Sequence, residues 1–467
     1  MTNKKLTFAL YFGNRGFFPG ELIASARREM MAAVKKAGHE YILMDETATK
    51  YGAVETQEDG LKYAAFLKAN AGKYDGVILC LSNFGDENGA VPALRDAGVP
   101  ILIQAYRDKI GEMDFAHRRD SFCGKFSIMD MFHQYGIKYT VLKPHCVNPD
   151  EPLFQKHLEK FAAVCRVANG MKRFTIGGLG ARTTAFKTVR YDELTLQKYG
   201  ITVDSYDLSE IFSRIKKIEL SRAKTRAAEL KKLADFASVP EEKLLILSRS
   251  ALAIDDMITE YRLDAVSLRC WTEFQSEMGI APCVLLGALN DRAVAASCEM
   301  DVCNAVVMRA LNLASGNAAT CLDWNNSYGK DEENKCILFH CGPVPPSLMR
   351  GKGRVTDHKM FAKSGGAGCA FGCNEGLIDA FPFTYSSCKT EDGKLSCYLG
   401  EGKFTDDKFD KDFFGCGGVA QIDNLQDVLL YIGRNGYRHH TGVTKGLVKD
   451  SVDEAFNVYL GYELKTF

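Results

Sequence analysis

Gly76-Val77-Ile78-Leu79-Cys80-Leu81 decides the fold class of this chain, because it is an uninterrupted apolar run of strand length. Further strands are predicted at residues 6–12, 41–44 and 99–103, and helices at about 21–36, 60–70 and 88–97. Strands that alternate with helices in this way predict an α/β fold with a parallel sheet. Ligands of such sheets gather at the C-terminal ends of the strands, which draws attention to Arg15 in the glycine-flanked loop after the first strand.

A second α/β unit is expected after a helix at 152–169, and its first strand is predicted at 173–176. The glycine-rich segment 177–182 lacks the Gly-x-Gly-x-x-Gly order of a dinucleotide loop, so a tight strand-to-helix turn is the better interpretation. From about residue 335 onward, short runs separated by glycines favour a small antiparallel barrel or sandwich. The last 25 residues or so return to a helical pattern that could dock onto an earlier domain.

These patterns predict two Rossmann-like parallel-sheet domains followed by a small antiparallel β-barrel-like domain. The expected boundaries are an N-terminal α/β domain at 1–170, a second α/β domain at 171–320, and a β-rich domain with a terminal helix at 321–467. A chain of 467 residues is also too long for one simple core, in agreement with two or three domains.

The composition argues against several classes of function. Lys+Arg and Asp+Glu are equal at 59 each, so the chain has no excess positive charge of the kind that binds nucleic acid or an anionic membrane surface. No apolar run approaches the roughly 20 residues of a membrane helix, and the N-terminus does not resemble a signal peptide, so a cytoplasmic protein is expected. The 16 cysteines are most simply reduced, buried thiols, because no four-ligand zinc spacing is found among them.

Carboxylates and imidazoles at the predicted ends of elements form the candidate functional site. Glu299 opens a helix-like run, Asp323 ends a short apolar run, His340 ends another, and the adjacent pair His439 and His440 lies near the far end of the chain. Such ligands, without a Cys-x-x-Cys pair, suit a hard to borderline divalent cation with open coordination positions. The site would perform Lewis-acid chemistry on oxygen atoms.

Each of these residues also has an ordinary structural explanation. Glu299 could complement the dipole of a helix, and Asp323 could be a turn residue. The connection from Trp324 to Lys335 is twelve residues, about the minimum for a parallel crossover that would bring Asp323 and His340 to one side, whereas a tight hairpin would carry His340 away. Only as a set do the residues favour a metal site.

Several short segments resemble the L-fucose isomerase and L-arabinose isomerase superfamily: Ser297-Cys298-Glu299-Met300-Asp301-Val302, Asp323, His340 and His439-His440-Thr441. The segment 177–191 and Arg269-Cys270-Trp271 are similar to further segments of fucose-isomerase-like proteins. The resemblance implies two α/β domains and a barrel-like domain. It also implies an enzyme that uses Mn²⁺, or another divalent cation, to interconvert aldoses and ketoses.

The resemblance also implies roles for individual residues. Glu299 and Asp323 match the paired metal-binding and catalytic acids, and His440 matches the late histidine ligand. His340 matches a histidine ligand of the arabinose branch, so the chain mixes features of both branches. The candidates for substrate binding are Arg15, His439, Arg269, Trp271 and Asn325.

The predicted function is that of a metal-dependent aldose–ketose isomerase acting on a monosaccharide through a cis-enediolate. The sugar remains open among neutral, 6-deoxy, acidic and sulfonated aldoses, as does the identity of the base. The resemblance further implies a homo-oligomer, a trimer or a hexamer, in which the loop of Arg15 reaches into the cleft of a neighbouring subunit. The alternatives are a metal-dependent epimerase or aldolase, and a non-catalytic sugar sensor.

Overall fold

The computed structural model describes residues 5–330, 332–410 and 413–467. The chain forms two compact units. The N-terminal unit contains the described residues up to Asn169 together with Asp450–Gly461, and the C-terminal unit contains Gly170–Lys449 together with Tyr462–Phe467. Within the described ranges, none of the helices has the length and apolar character needed to cross a membrane.

The N-terminal unit is built on a parallel sheet, as predicted. Its strands, in the order β2-β1-β3-β4, are β1 Thr7–Gly13, β2 Glu40–Leu43, β3 Gly76–Leu81 and β4 Ile101–Ala105. Its helices are α1 Leu22–Lys36, α2 Gln57–Ala69, α3 Glu87–Leu94, α4 Ser121–Gln134 and α5 Pro152–Met171, the last of which runs to the boundary of the unit. Strand β3 is buried along its whole length, and alternate residues enter different clusters: Ile78 packs in one, and Val77 and Leu79 in the other. A central strand covered on both faces explains the uninterrupted apolar run.

A second parallel sheet opens the C-terminal unit, in the order β6-β5-β8-β9. The strands of this region are β5 Phe174–Leu179, β6 Ile201–Tyr206, the short β7 Ala234–Asp235, β8 Ala265–Leu268 and β9 Ala295–Cys298. The helices are α6 Glu193–Lys198, α7 Leu208–Lys217, α8 Leu220–Leu233, α9 Glu241–Glu260, α10 Glu273–Met278, α11 Cys283–Asp291 and α12 Val302–Ser315. The tight turn predicted at 177–182 is wrong, because β5 continues to Leu179 and an irregular loop follows from Gly180, whose φ is +95°.

The rest of the C-terminal unit is dominated by a ten-stranded mixed sheet, in the order β18-β15-β14-β17-β10-β11-β16-β13-β12-β7. Its further strands are β10 Ala319–Ser327, β11 Lys335–His340, β12 Gly353–Asp357, β13 Phe371–Leu377, β14 Pro382–Glu391, β15 Lys394–Phe404, β16 Cys416–Gln421, β17 His440–Lys445 and β18 Glu463–Thr466. An additional pairing of β15 with β16 links β15, β14, β17, β10, β11 and β16 into a closed cycle.

This sheet differs from the small antiparallel domain that the sequence suggested. Three of its pairings, β12 with β7, β13 with β16 and β15 with β18, are parallel. Because β7 comes from the preceding α/β region, the sheet takes in strands from both sides of the expected boundary at 320, which itself falls within β10. Two helices accompany it, α13 Lys359–Gly365 and α14 Leu425–Arg434.

The end of the chain returns to the N-terminal unit through α15 Lys449–Glu454 and the π-helical turn Ala455–Leu460. There the hydroxyl of Tyr459 lies 2.9 Å from Oγ1 of Thr140, and Lys160 pairs with Asp450 at 2.7 Å. The predicted docking of a terminal helical segment onto an earlier part of the chain is therefore confirmed. The helical pattern itself covers only this segment, since the flanking residues form β17 and β18.

Candidate active site

The loop between β9 and α12 carries two carboxylates on a strained backbone. Glu299 and Met300 both have a φ of +60°, in the left-handed region that residues other than glycine rarely adopt. The helix begins at Val302, and the side chain of Asp301 accepts a hydrogen bond from the amide of Asn304 at 3.0 Å. The interpretation of Glu299 as a helix-capping residue is therefore wrong, because Asp301 caps the helix and Glu299 lies in the strained turn before it.

Asp323 and His340 meet across a hairpin. Strand β10 continues past Asp323 to Ser327 and pairs antiparallel with β11, so that Asp323 lies opposite Phe339 and next to His340. The parallel crossover is wrong, because β10 and β11 are antiparallel neighbours, and the hairpin keeps His340 close because Asp323 lies within its strand and not at the end. On the other side of β10, Asp323 pairs with His440 of β17. Strand pairing thus places the Asp323 carboxylate opposite His440, with His340 one residue beyond its other partner, Phe339.

The side chains of Glu299, Asp323, His340 and His440, here called the carboxylate–imidazole cluster, lie close together around His440. Nε2 of His440 lies 3.0 Å from Oε2 of Glu299 and 3.3 Å from Oδ1 of Asp323, and Nε2 of His340 lies 4.0 Å from Oε2 of Glu299. In the described part of the chain, Oδ1 of Asp323 and the Nε2 atoms of both histidines are buried without a hydrogen-bond partner. Buried polar atoms that converge without partners fit a divalent cation, as do the oxygen and imidazole donors.

A buried ion pair orients His440. Its Nδ1 lies 2.9 Å from Oδ2 of Asp301, and the guanidinium of Arg438 pairs with Oδ1 of the same carboxylate. Burial raises the pKa of Asp301, but Arg438, His440 and the amide of Asn304 together outweigh this, so that the pKa lies below its usual value and the group is ionised. An ionised carboxylate accepts the proton on Nδ1 and orients the ring so that Nε2 points at Glu299 and Asp323, the arrangement found behind metal-bound histidines.

His340 has the opposite arrangement of its ring nitrogens. The backbone N–H of Cys341 donates to Nδ1 of His340 at 2.9 Å, so the neutral ring carries its proton on Nε2. An Nε2–H group donates a hydrogen bond and has no lone pair for a metal. This pattern favours a donor role for His340 over the ligand role that the resemblance implies.

Burial also changes the protonation of the two groups at the mouth of the cluster. It raises the pKa of the Asp323 carboxyl, although the charges of His340 and His440 oppose the shift. It lowers the pKa of His439, and the charge of His440 lowers it further. His439 is therefore neutral at pH 7. Its side chain is 43% exposed, and its Nε2 lies 3.7 Å from Oδ1 of Asp323.

Aromatic side chains form one wall of the cluster. The ring centroid of Phe186 lies 5.7 Å from that of His440, 5.4 Å from that of His439 and 5.8 Å from that of Trp271. Phe186 thus lies between the cluster and Trp271, one of the predicted substrate residues. Arg269 is held by the backbone oxygens of Trp271 and Ala181 and by Glu273 at 2.6 Å, so its guanidinium supports this wall.

Two predicted substrate residues remain, Asn325 and Arg15. Asn325 is exposed at the β-bulge of β10. Arg15 belongs to the N-terminal unit, where its Nε donates to the backbone oxygen of Gly85 at 2.9 Å, its guanidinium pairs with Glu87, and it lies 4.3 Å from the ring of Phe84.

The sequence interpretation missed Asp301, Arg438, Phe186 and Cys321. The ligating atom of Cys321 lies within 4.8 Å of those of His340 and His440. Strand alternation could have identified it, because Cys321 precedes Asp323 by two residues and shares its face of β10. The signals for Asp301 and Arg438 were only their positions beside Glu299 and His439.

Two protein-family models match the chain. The N-terminal domain of fucose/sulfoquinovose isomerase matches residues 9–172, and the C-terminal domain of L-fucose isomerase matches residues 338–467. Sulfoquinovose isomerase of Priestia aryabhattai is 25% identical over 394 residues, which cover 82% of this chain and 83% of the relative. The protein of the same name from Clostridium sp. (strain MSTE9) is 26% identical over 315 residues, covering 65% of this chain and 67% of its own.

Among solved structures, a periplasmic solute-binding protein of an ABC transporter from Actinobacillus succinogenes with bound D-allose is 12% identical. The match covers 67% of this chain and 93% of that protein, with a TM-score of 0.18. That score is too low to support a shared fold, so the match gives no support to the sugar-sensor alternative.

Proposed function

Because this chain belongs to the fucose isomerase family of sugar isomerases, we propose that it is a divalent-metal-dependent aldose–ketose isomerase whose substrate is a 6-sulfonated aldose of the sulfoquinovose type. The convergence of Glu299, Asp323 and His440, with buried atoms that lack partners, carries the metal-dependent part of this proposal. The sulfonated substrate is suggested by relatives named sulfoquinovose isomerase that cover most of the chain.

Glu299, Asp323 and the Nε2 atom of His440 are the groups that would hold Mn²⁺ or another divalent cation. The chemistry that such a cation supplies is stabilisation of negative charge on neighbouring sugar oxygens. The ion pair of Asp301 and Arg438 supports this role of His440 because it fixes the ring in the tautomer that leaves Nε2 free.

Proton transfer in the proposed reaction belongs to the two acids. One carboxylate of the pair Glu299 and Asp323 removes the proton from C2 of the open-chain aldose, which gives a cis-enediolate; a proton is then returned at C1, and the proton of O2 passes to O1. The Nε2–H group of His340 donates a hydrogen bond to a sugar oxygen that becomes negative in this step. His439, neutral and partly exposed, can bind a sugar hydroxyl, and Phe186 shields the reacting atoms from water.

Two cationic residues on the loop of Phe186 are compatible with an anionic sugar. Arg182 and Lys187 lie on the same loop as Phe186, and Nη1 of Arg182 is held by the backbone oxygens of Thr183 and Thr184 at 2.9 and 3.3 Å. The remaining N–H groups of the guanidinium can pair with sulfonate oxygens in a fixed geometry. A neutral aldose would make no use of these charges.

The test incubates the protein and Mn²⁺ with C2-deuterated sulfoquinovose and, in parallel, with glucose, L-fucose and L-arabinose. A ketose with loss of deuterium from the sulfonated sugar is expected. A C2 epimer with loss of deuterium would support an epimerase, shorter fragments an aldolase, and binding without turnover a sensor. Arg182→Gln should raise KM for the sulfonated sugar, whereas Arg222→Gln, an exposed arginine paired with Asp256, should leave KM unchanged.

We also infer a homo-oligomer, a trimer or a hexamer, and a barrel-like closure of the six cyclically paired strands. Phe17, beside Arg15, is 68% exposed, which suits a loop that a partner subunit covers. Sedimentation of the metal-loaded protein tests the assembly, and an active monomer would contradict it.

A further inference from the structure

Three ligating side chains outside the carboxylate–imidazole cluster form a second group. The ligand atoms of Cys283, Cys341 and His358 all lie within 4.8 Å of one another. They come from three separate elements: Cys283 begins α11, Cys341 directly follows β11, and His358 precedes α13. We call this group the thiol–imidazole cluster.

His358 has no protein partner for either ring nitrogen. The side chain is buried, with 2% relative exposure, and both Nδ1 and Nε2 lack a hydrogen bond in the described part of the chain. The rings of Phe361 and Phe414 pack against it at centroid distances of 4.4 and 5.7 Å. A buried imidazole without partners is costly, and a bound ion next to it would remove that cost.

The backbone is built to bring the two thiols together. Gly342, with a φ of +135°, has no room for a side chain, because a Cβ there would lie 2.9 Å from Cβ of Cys283 and 2.6 Å from the amide nitrogen of Asn374. The thiol of Cys373 donates to the backbone oxygen of Cys341 at 3.1 Å, and the amide of His358 donates to the oxygen of Ala370 at 3.0 Å. The positions of the three ligands are therefore fixed by contacts other than the ligands themselves.

We propose that Cys283, Cys341 and His358 bind a thiophilic divalent cation of the Zn²⁺ type. Two thiolates and an imidazole are the donors that zinc prefers, whereas Mn²⁺ prefers oxygen ligands. Tetrahedral bonds to sulfur of about 2.3 Å place two ligands about 3.8 Å apart, so atoms within 4.8 Å need to approach by about 1 Å or less. Water fills the fourth position. The site is separate from the carboxylate–imidazole cluster but adjoins it, because Sγ of Cys341 lies 3.4 Å from Nδ1 of His340.

The test uses the full-length protein, reduced and stripped of metal, with Co²⁺ as the spectroscopic probe of a zinc site. Near-ultraviolet absorption from thiolate-to-cobalt charge transfer should saturate at one thiolate-bound ion per chain. It should persist in Glu299→Gln, which damages the carboxylate–imidazole cluster, and in Cys321→Ser, which removes the thiol beside His440. Zn²⁺ should displace the cobalt, and Mn²⁺ should not.

Variants of the ligands decide the assignment. Cys283→Ser should abolish the absorption, and His358→Gln should weaken cobalt binding by more than the roughly 100-fold that loss of an outer-shell contact costs. Cys336→Ser, which changes a buried free thiol of β11, is the matched control and should bind like the parent. If Cys283→Ser fails to fold by circular dichroism, His358→Gln alone decides the question. Absence of the absorption in the parent, its survival in His358→Gln, or its loss in Cys321→Ser would each overturn the proposal.

Discussion

The substitution Asp301→Asn tests the buried support of the candidate metal site. Asp301 is fully buried, and its partner Arg438 has 2% of its side chain exposed. Removing the negative charge leaves the guanidinium buried without a counter-ion, which costs about 3–5 kcal/mol of folding free energy for a pair of this kind. The same change replaces the carboxylate behind His440 by a neutral amide, and outer-shell changes of this type weaken metal binding by about 10–100-fold.

Both effects can be measured separately. The protein has two tryptophans, Trp271 and Trp324, and both belong to the C-terminal unit, so their fluorescence reports the unfolding of the unit that contains Asp301. With an m-value of about 3 kcal/mol per molar urea, the predicted loss lowers the midpoint by about 1–1.7 M. Mn²⁺ affinity is measured on the folded variant by isothermal titration calorimetry.

Asp256→Asn is the matched control, because Asp256 forms an exposed ion pair with Arg222 in the same unit. Exposed pairs contribute little to stability, so its midpoint and its Mn²⁺ affinity should stay close to those of the parent. If Asp301→Asn unfolds at the same urea concentration as the parent, Asp301 and Arg438 do not form the buried pair described here. If only its Mn²⁺ affinity is unchanged, the carboxylate does not prepare His440 for a metal.

Further expectations concern the metal, the acids, pH and assembly. Removal of divalent metal should abolish turnover, with Mn²⁺ restoring it better than Zn²⁺; full activity in a sample that elemental analysis finds metal-free would rule this out. Glu299→Gln and Asp323→Asn should each lower kcat by about 100-fold or more, and the double variant should be little worse, since the residues act as a unit; near-native kcat in either single variant would remove that residue from the mechanism. Burial lowers the pKa of Lys125 from 10.5 to about 8. Between pH 8 and pH 10.5, Lys125 is therefore protonated in the unfolded chain and largely neutral in the folded protein. The free energy of unfolding should rise with pH across this range, by at most about 3 kcal/mol. Lys125→Met should lack this rise in urea unfolding followed by circular dichroism, and an equal rise in both proteins would contradict the assignment. Mixing inactive Arg15→Ala with inactive Glu299→Gln subunits should regenerate activity if sites are shared between subunits, and no recovery after proven exchange would defeat that model.

The sequence by itself determined the type of most elements and the main chemistry. Residues 76–81 form the central strand of a parallel sheet, as their apolar run predicted, because a strand covered by helices on both faces has no polar side to display. Glu299, Asp323 and His440 were identified as a set from their residue types and from the resemblance of the short segments around them. In the structure, an oxygen of Glu299 and an oxygen of Asp323 lie 3.0 and 3.3 Å from Nε2 of His440. Local pattern and residue chemistry were sufficient for both conclusions.

The tertiary structure decided which residues meet and through which atoms. Asp323 lies opposite Phe339, the neighbour of His340, because β10 continues to Ser327 and pairs antiparallel with β11, and no local pattern distinguishes that register from a crossover. The tautomers of His340 and His440 depend on hydrogen bonds to Cys341 and to Asp301.

The thiol–imidazole cluster shows the same limit on sequence interpretation, because its three residues are separated by irregular spacings of 58 and 17 positions. A ligand motif can be recognised in a sequence only when one loop or helix holds its members at a fixed spacing. Here strand pairing and helix packing hold them. Burial periodicity encodes the type of an element locally, whereas contacts between elements depend on how the whole chain packs.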